Sequence, residues 1–237
     1  MAAFDAAGNV SGPSAPTNVT TLAADPLAVD AMVTTHQASS STTIAAPPLT
    51  TTRPGDLLVA FIASDGPGAA GGQTINSVTG GGLTWKLRQR TNTQPGAAEI
   101  WQAAAPTALT NVVVSATRKA SAQGSITVAA LSGADTAALG AVGSANALTG
   151  APRVSLTTTR ANSWVWGVGS DWDRPVARTL GAGQTLVDQY FSPSGDTYWV
   201  QRRTATTPAA GTSVALDATA PTNDRWNMSA LEILSAP

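Results

Sequence analysis

Cysteine is absent from the 237 residues. That excludes a disulfide scaffold and any thiolate metal site. Histidine occurs once, as His36 in TTHQASSS. Ser-His-Asp or Cys-His catalysis would rest on that single imidazole, and no motif surrounds it. Charge is scarce: 11% of residues, with a net charge of -1, against about 25% charged in an average soluble domain. No basic field exists, which argues against nucleic-acid binding. Long apolar runs are also missing. The longest, Leu57 to Ala63, has strand length, well short of the roughly 20 residues of a membrane-spanning helix, so no membrane insertion is expected. Met1 to Val10 lacks a basic stretch followed by an apolar one, so it does not read as a signal peptide.

Glutamate and lysine are almost absent too. The acids are Asp except Glu99 and Glu232; the bases are Arg except Lys86 and Lys119. Solvent-facing helices favour Glu and Lys, whereas Asp favours turns and caps. Thr is abundant, at 33 residues, beside 22 Gly and 15 Pro. This is the composition of short strands joined by turns. The 45 Ala lie in runs broken by Gly, Thr and Pro and build no amphipathic helix.

The pattern along the chain agrees. Strands are predicted at Leu27–Thr35, Ile44–Thr52, Leu57–Ala63, Ile75–Thr79, Thr84–Thr91, Ala98–Ala104, Val112–Thr117 and Ser125–Leu131. They continue at Arg153–Thr159, Ser163–Val168, Thr185–Phe191, Thr197–Arg203, Thr212–Leu216 and Trp226–Ile233. The fold class expected is all-β: an antiparallel β-sandwich, jelly-roll-like. The two halves are only loosely alike.

Phe4 to Pro16 reads FDAAGNVSGPSAP, a strand end, an Asn/Gly turn and a Ser/Pro linker. It resembles the last strand and exit linker of bacterial fibronectin type III or Ig-like modules. Residues 1–22 are then expected to be the tail of a preceding module, and 23–237 the β-sandwich domain. A second resemblance rests on GDLLVAFIASDG (Gly55 to Gly66), GGLTWKLRQRTN (Gly81 to Asn92), AEIWQAAAP (Ala98 to Pro106), SWVWGVGSDWDRPVART (Ser163 to Thr179) and GDTYWVQRR (Gly195 to Arg203). These phrases are similar to a β-sandwich accessory module of bacterial multidomain surface and secreted proteins. The resemblance implies a setting, secreted or at the cell surface beside neighbouring domains of the same chain. It implies no catalytic residues.

Two signals remain for chemistry. Asp171 and Asp173 in GSDWDRP are the closest pair of acids, followed by Arg174 and Arg178. The arginines would keep both acids ionised. That favours Asp–Arg pairing first, a Ca²⁺ site on Asp171 and Asp173 second, and catalysis last. The other signal is seven Trp against two Tyr and three Phe. Strand aromatics normally face a core, but Trp172 sits in loop chemistry between two Asp. The expected ligand site is therefore Trp172 with Tyr198 or Trp199, flanked by Asp173 and Arg174, stacking on a polysaccharide or cell-surface glycan. Lys86 or Lys119 beside a buried acid would allow an intramolecular isopeptide bond. Three function classes follow: a non-catalytic extracellular binding or adhesion module, most simply carbohydrate-binding; a structural spacer or display domain; and a carboxylate-dependent glycoside hydrolase or lyase using Asp171, Asp173, Asp188, Asp196 or Asp224. The first needs no enzyme activity and no cofactor beyond a Ca²⁺ ion.

Overall fold

The unbroken apolar run at Leu57 to Ala63 needs cover on both faces, and the fold supplies it. In the computed structural model, which describes residues 3–12 and 25–237, the first half of the chain forms six strands. These are β1 (Ala28–Ala45), β2 (Asp56–Ser64), β3 (Ile75–Thr79), β4 (Lys86–Thr91), β5 (Ala97–Ala105) and β6 (Ser115–Ser132). The second half forms β7 (Val142–Ala147), β8 (Arg153–Thr157), β9 (Trp164–Asp171), β10 (Thr179–Leu180) and β11 (Gln184–Phe191), then β12 (Thr197–Arg203), β13 (Ser213–Ala220) and β14 (Trp226–Ile233). Every pairing among them is antiparallel. The described residues contain no helix, and none long and apolar enough to cross a membrane. The expected all-β antiparallel fold is what forms.

Two large sheets share one strand order. The first runs β1-β6-β2-β5-β4 and the second β7-β14-β9-β12-β11. The second half adds a small sheet, β10-β13-β8. The first half builds the same layer without separate strands. There β3 pairs the opening of β6, with Val78 opposite Ala116, and that stretch also pairs the end of β1, with Ile44 opposite Ala116. Register shifts between Gln37, Ser41 and Thr43 are bulges that bend β1 out of the large sheet and into the small layer. Hence one long β1 does the work of β7 plus β8, and one long β6 that of β13 plus β14. The single sandwich expected over 23–237 is, in its described residues, two eight-role units of the same design.

Three apolar cores join the layers. One lies inside the first unit and contains Ile44, Leu58, Ile62, Trp85 and Trp101. One lies inside the second unit, around Val165, Trp199, Leu216 and Trp226. The third joins the units: Leu57, Val59, Phe61 and Ile100 meet Trp164, Trp166, Tyr198 and Leu231. Alternate residues of β2 thus serve two different cores, which is why its sequence is apolar throughout. The large sheets stack face to face. His36 of β1 lies 2.9 Å from Asp188 of β11 and stacks on Tyr190 at 4.5 Å. On the opposite flank, Gln94 before β5 donates to Asn146 of β7 at 3.0 Å. Exchange of the two units maps one flank onto the other, the arrangement of a twofold pair.

Both ends of this body lie together. The amide of Ala236 donates to the carbonyl of Gly133 at 2.8 Å. A side chain on Gly133 would collide with the carbonyl oxygen of Asp25. Residues 25 and 236 therefore meet at the end where β2 and β9 begin. Residues 3–12 form a small turn with a Phe4–Val10 bridge. Asp5 closes that turn by accepting the Ala7 and Asn9 amides, each at 2.9 Å. Phe4 is 73% exposed. The remainder of the expected 1–22 linker, residues 1–2 and 13–22, lies outside the described residues, as do 23–24.

Candidate functional site

The strands β2 and β9 end side by side at Ser64 and Asp171, and the loops there gather into one face. A side chain on Gly96 would come 3.1 Å from Ser170 Oγ and 3.6 Å from the Trp172 ring, so the two units touch at this end as well. Strands of eight or nine residues put this face about 25 Å from the place where residues 25 and 236 meet. Every residue singled out from GSDWDRP and from the start of β12 lies in or beneath it.

Asp171 is fully buried, not a free ligand. Arg178 donates to its Oδ2, and its Oδ1 accepts the Asp173 amide at 2.6 Å and the Arg174 amide at 3.4 Å. Arg178 is itself 5% exposed. Its Nη1 lies 3.6 Å from Asp224, and its guanidinium sits 4.9 Å from the centre of the Trp199 ring. Burial pulls the Arg178 pKa down to about 10, with Asp224 opposing the shift; it stays a cation at neutral pH. Asp224 also accepts Arg174 Nε at 2.7 Å. This is the Asp–Arg pairing ranked first from the sequence, with Asp224 as a second acid that sequence separation concealed.

A Ca²⁺ site on Asp171 and Asp173 does not fit this geometry. The Asp171 carboxylate is occupied by a guanidinium and two amides. Asp173 turns outward and accepts the Arg225 amide at 2.8 Å. Among the described residues no three His, Asp or Glu side chains converge on a metal position.

The stacking partners are corrected likewise. Tyr198 and Trp199 are both 0% exposed. Tyr198 faces the core between the units and donates to Asp196 at 2.7 Å. Trp199 faces the core of the second unit and donates to Gln201 at 2.7 Å. Strand alternation sends these neighbours to opposite faces, and here both faces are covered. Six of the seven Trp are buried. Only Trp172 is half-exposed, with Asp173 and Arg174 exposed beside it. Of the five residues expected to form the ligand site, these three remain at the surface.

The other acids are also engaged. Asp188 meets His36. Burial pushes Asp196 up to about 7, a value suited to a general acid, but the residue is 3% exposed beneath the loop after β11. Three surface cavities, of about 570, 520 and 370 Å³, contain no carboxylate except Asp217 and Asp25. The paired carboxylates that a glycoside hydrolase or lyase requires are not found in them. Lys86 and Lys119 are both exposed, so neither meets the buried acid that an isopeptide bond needs.

No protein-family model matches the chain, and neither curated proteins nor solved structures provide a match.

Proposed function

We propose that the chain is a non-catalytic binding module, carried by a longer extracellular polypeptide and presenting its loop face to a polysaccharide. One observation carries this reading: residues 25 and 236 meet at one end, while the half-exposed Trp172 and exposed Asp173 and Arg174 lie at the other. A polypeptide continuing past both points would hold the body to one side with the loop face outward. That geometry adds little length to a string, so it suits display better than spacing. Loop ends of β-sandwiches are a common place for recognition. An indole can stack on the C–H face of a sugar while Asp173 accepts hydroxyl hydrogen bonds, and Arg174 adds a donor for uronic acids.

A second reading is favoured by the burial of six Trp: a structural display domain whose aromatics serve packing alone. Glycan-array binding of the whole chain separates the two. The binding reading expects glycan signals in the parent that fall tenfold or more in Trp172→Ala. Absence of any signal from the parent, or unchanged binding by Trp172→Ala, would replace it with the structural reading.

A further inference from the structure

At the opposite end, where residues 25 and 236 meet, a second pair of acids has no cation in direct ion-pair contact. Asp56 opens β2 and is 1% exposed, yet neither of its carboxylate oxygens has a hydrogen-bond partner. Asp30 lies at the bulge between Val29 and Ala31 of β1. A bulge re-aims a side chain, and this one brings Asp30 into direct interaction with Asp56. Asp30 is held there by Thr52, whose amide donates to Oδ2 at 2.6 Å and whose hydroxyl donates to Oδ1. The nearest base, Arg53, favours the ionised form of both acids from a distance but makes its ion pair with Asp25 at 2.8 Å, with a side chain 56% exposed.

Two interacting carboxylates, one of them buried with no hydrogen-bond donor on either oxygen, are an unfavourable arrangement unless a positive charge joins them. A shared proton supplies a donor to one Asp56 oxygen and leaves the other bare. A cation reaches both. Each Asp30 oxygen keeps a free lone pair after accepting from Thr52. The side chains brought together here, Asp30, Asp56 and Thr52, offer only oxygen donors, and oxygen donors select a hard cation. Asp30 is only part-buried, so an ion can reach the site past it.

We propose that Asp30 and Asp56 bind one calcium ion at the base of the first unit. Calcium is favoured over magnesium because a buried bidentate carboxylate suits its irregular shell, whereas magnesium keeps its waters. With two carboxylates, the affinity expected is that of extracellular modules, a Kd of about 10⁻⁴–10⁻³ M. Bound ion would tie β1 to the turn before β2, where residue 25 joins the body. This inference stands apart from the glycan reading and survives its failure.

The test measures calcium-45 by equilibrium dialysis and melting temperature near neutral pH, on the whole chain, with EDTA or about 10 mM calcium chloride. The parent is expected to bind one ion and gain about 3 °C or more, with a smaller gain in magnesium. Asp56→Asn and Asp30→Asn should each lose binding and the thermal gain. Asp173→Asn, in the loop face, should keep both. A parent that binds no calcium overturns the proposal, as does binding that persists in Asp30→Asn or vanishes in Asp173→Asn. Should Asp56→Asn fail to fold, Asp30→Asn decides alone.

Discussion

Asp171 and Asp224 hold the buried guanidinium of Arg178 between them, and removing one acid leaves that charge without its partner. Asp171→Ala should therefore cost about 3–5 kcal/mol, measured by urea unfolding. Arg153→Ala breaks the exposed pair with Asp217 and should cost about 1 kcal/mol or less. A second residue-scale constraint is steric. Gly169 faces Trp199 so closely that a Cβ would collide with the indole. Gly169→Ala should destabilise by about 1–3 kcal/mol or more through overpacking, read in the same assay. The two glutamates show how composition and position differ in meaning. Their rarity signalled few surface helices, but each is buried. Glu99 accepts from Arg90, Trp101 and the Ile75 amide at 2.7–3.0 Å, and Glu232 accepts from Ala141, Thr159 and Arg160.

Among the elements, β2 and β9 are each paired on both edges and covered on both faces. Their amides should exchange slowest, near the global unfolding limit, while Ala38 to Thr43, at the bulges of β1, should exchange fastest within a strand. Hydrogen exchange followed by mass spectrometry checks the order. Most strands were legible within one or two residues: Ile75–Thr79, Thr197–Arg203 and Trp226–Ile233 match the periodicity as read. The misses have definite causes. The bend at His36 to Ser41 read as a strand end but is a bulge inside β1. Likewise Val112–Thr117 and Ser125–Leu131 read as two strands, though β6 runs on as one from Ser115. Val142–Ala147 was missed because an edge strand with exposed alternate residues carries Gly, Ser and Asn in place of β-branched residues.

On the scale of the whole molecule, the shared core predicts a single transition. Calorimetric and van't Hoff enthalpies should agree despite the two sandwich units, because separating them would expose Phe61, Trp166 and their neighbours to water. The pH dependence follows from opposed carboxyls. Asp196 and Asp56 are raised by burial from 3.8 to about 7 and about 6. Between pH about 4 and 7 the native state thus holds protons that the unfolded chain releases, and stability falls as pH rises. Asp135, lowered to about 2 by the Ala138 amide, Arg160 and the Ala137 amide, contributes stability above pH about 4 that is lost as pH falls toward about 2. Melting temperature in calcium-free buffer should peak near pH 4–5. Asp196→Asn should flatten the fall above that peak.

The sequence by itself determined the class of the fold. Alternation, turn residues and the lack of Glu and Lys act over a few residues, so a linear reading captures them. It also identified the GSDWDRP loop as a polar cluster, because Asp171, Arg174 and Arg178 are near neighbours. Only the tertiary structure decided which aromatics meet water, since burial of Tyr198 and Trp199 depends on sheets contributed by strands far away in the chain. It alone paired Asp224 with Arg178 and Asp30 with Asp56, and brought residue 236 back beside residue 25. Such contacts join positions 26 to more than 200 residues apart, and strand order, which no local pattern encodes, sets them.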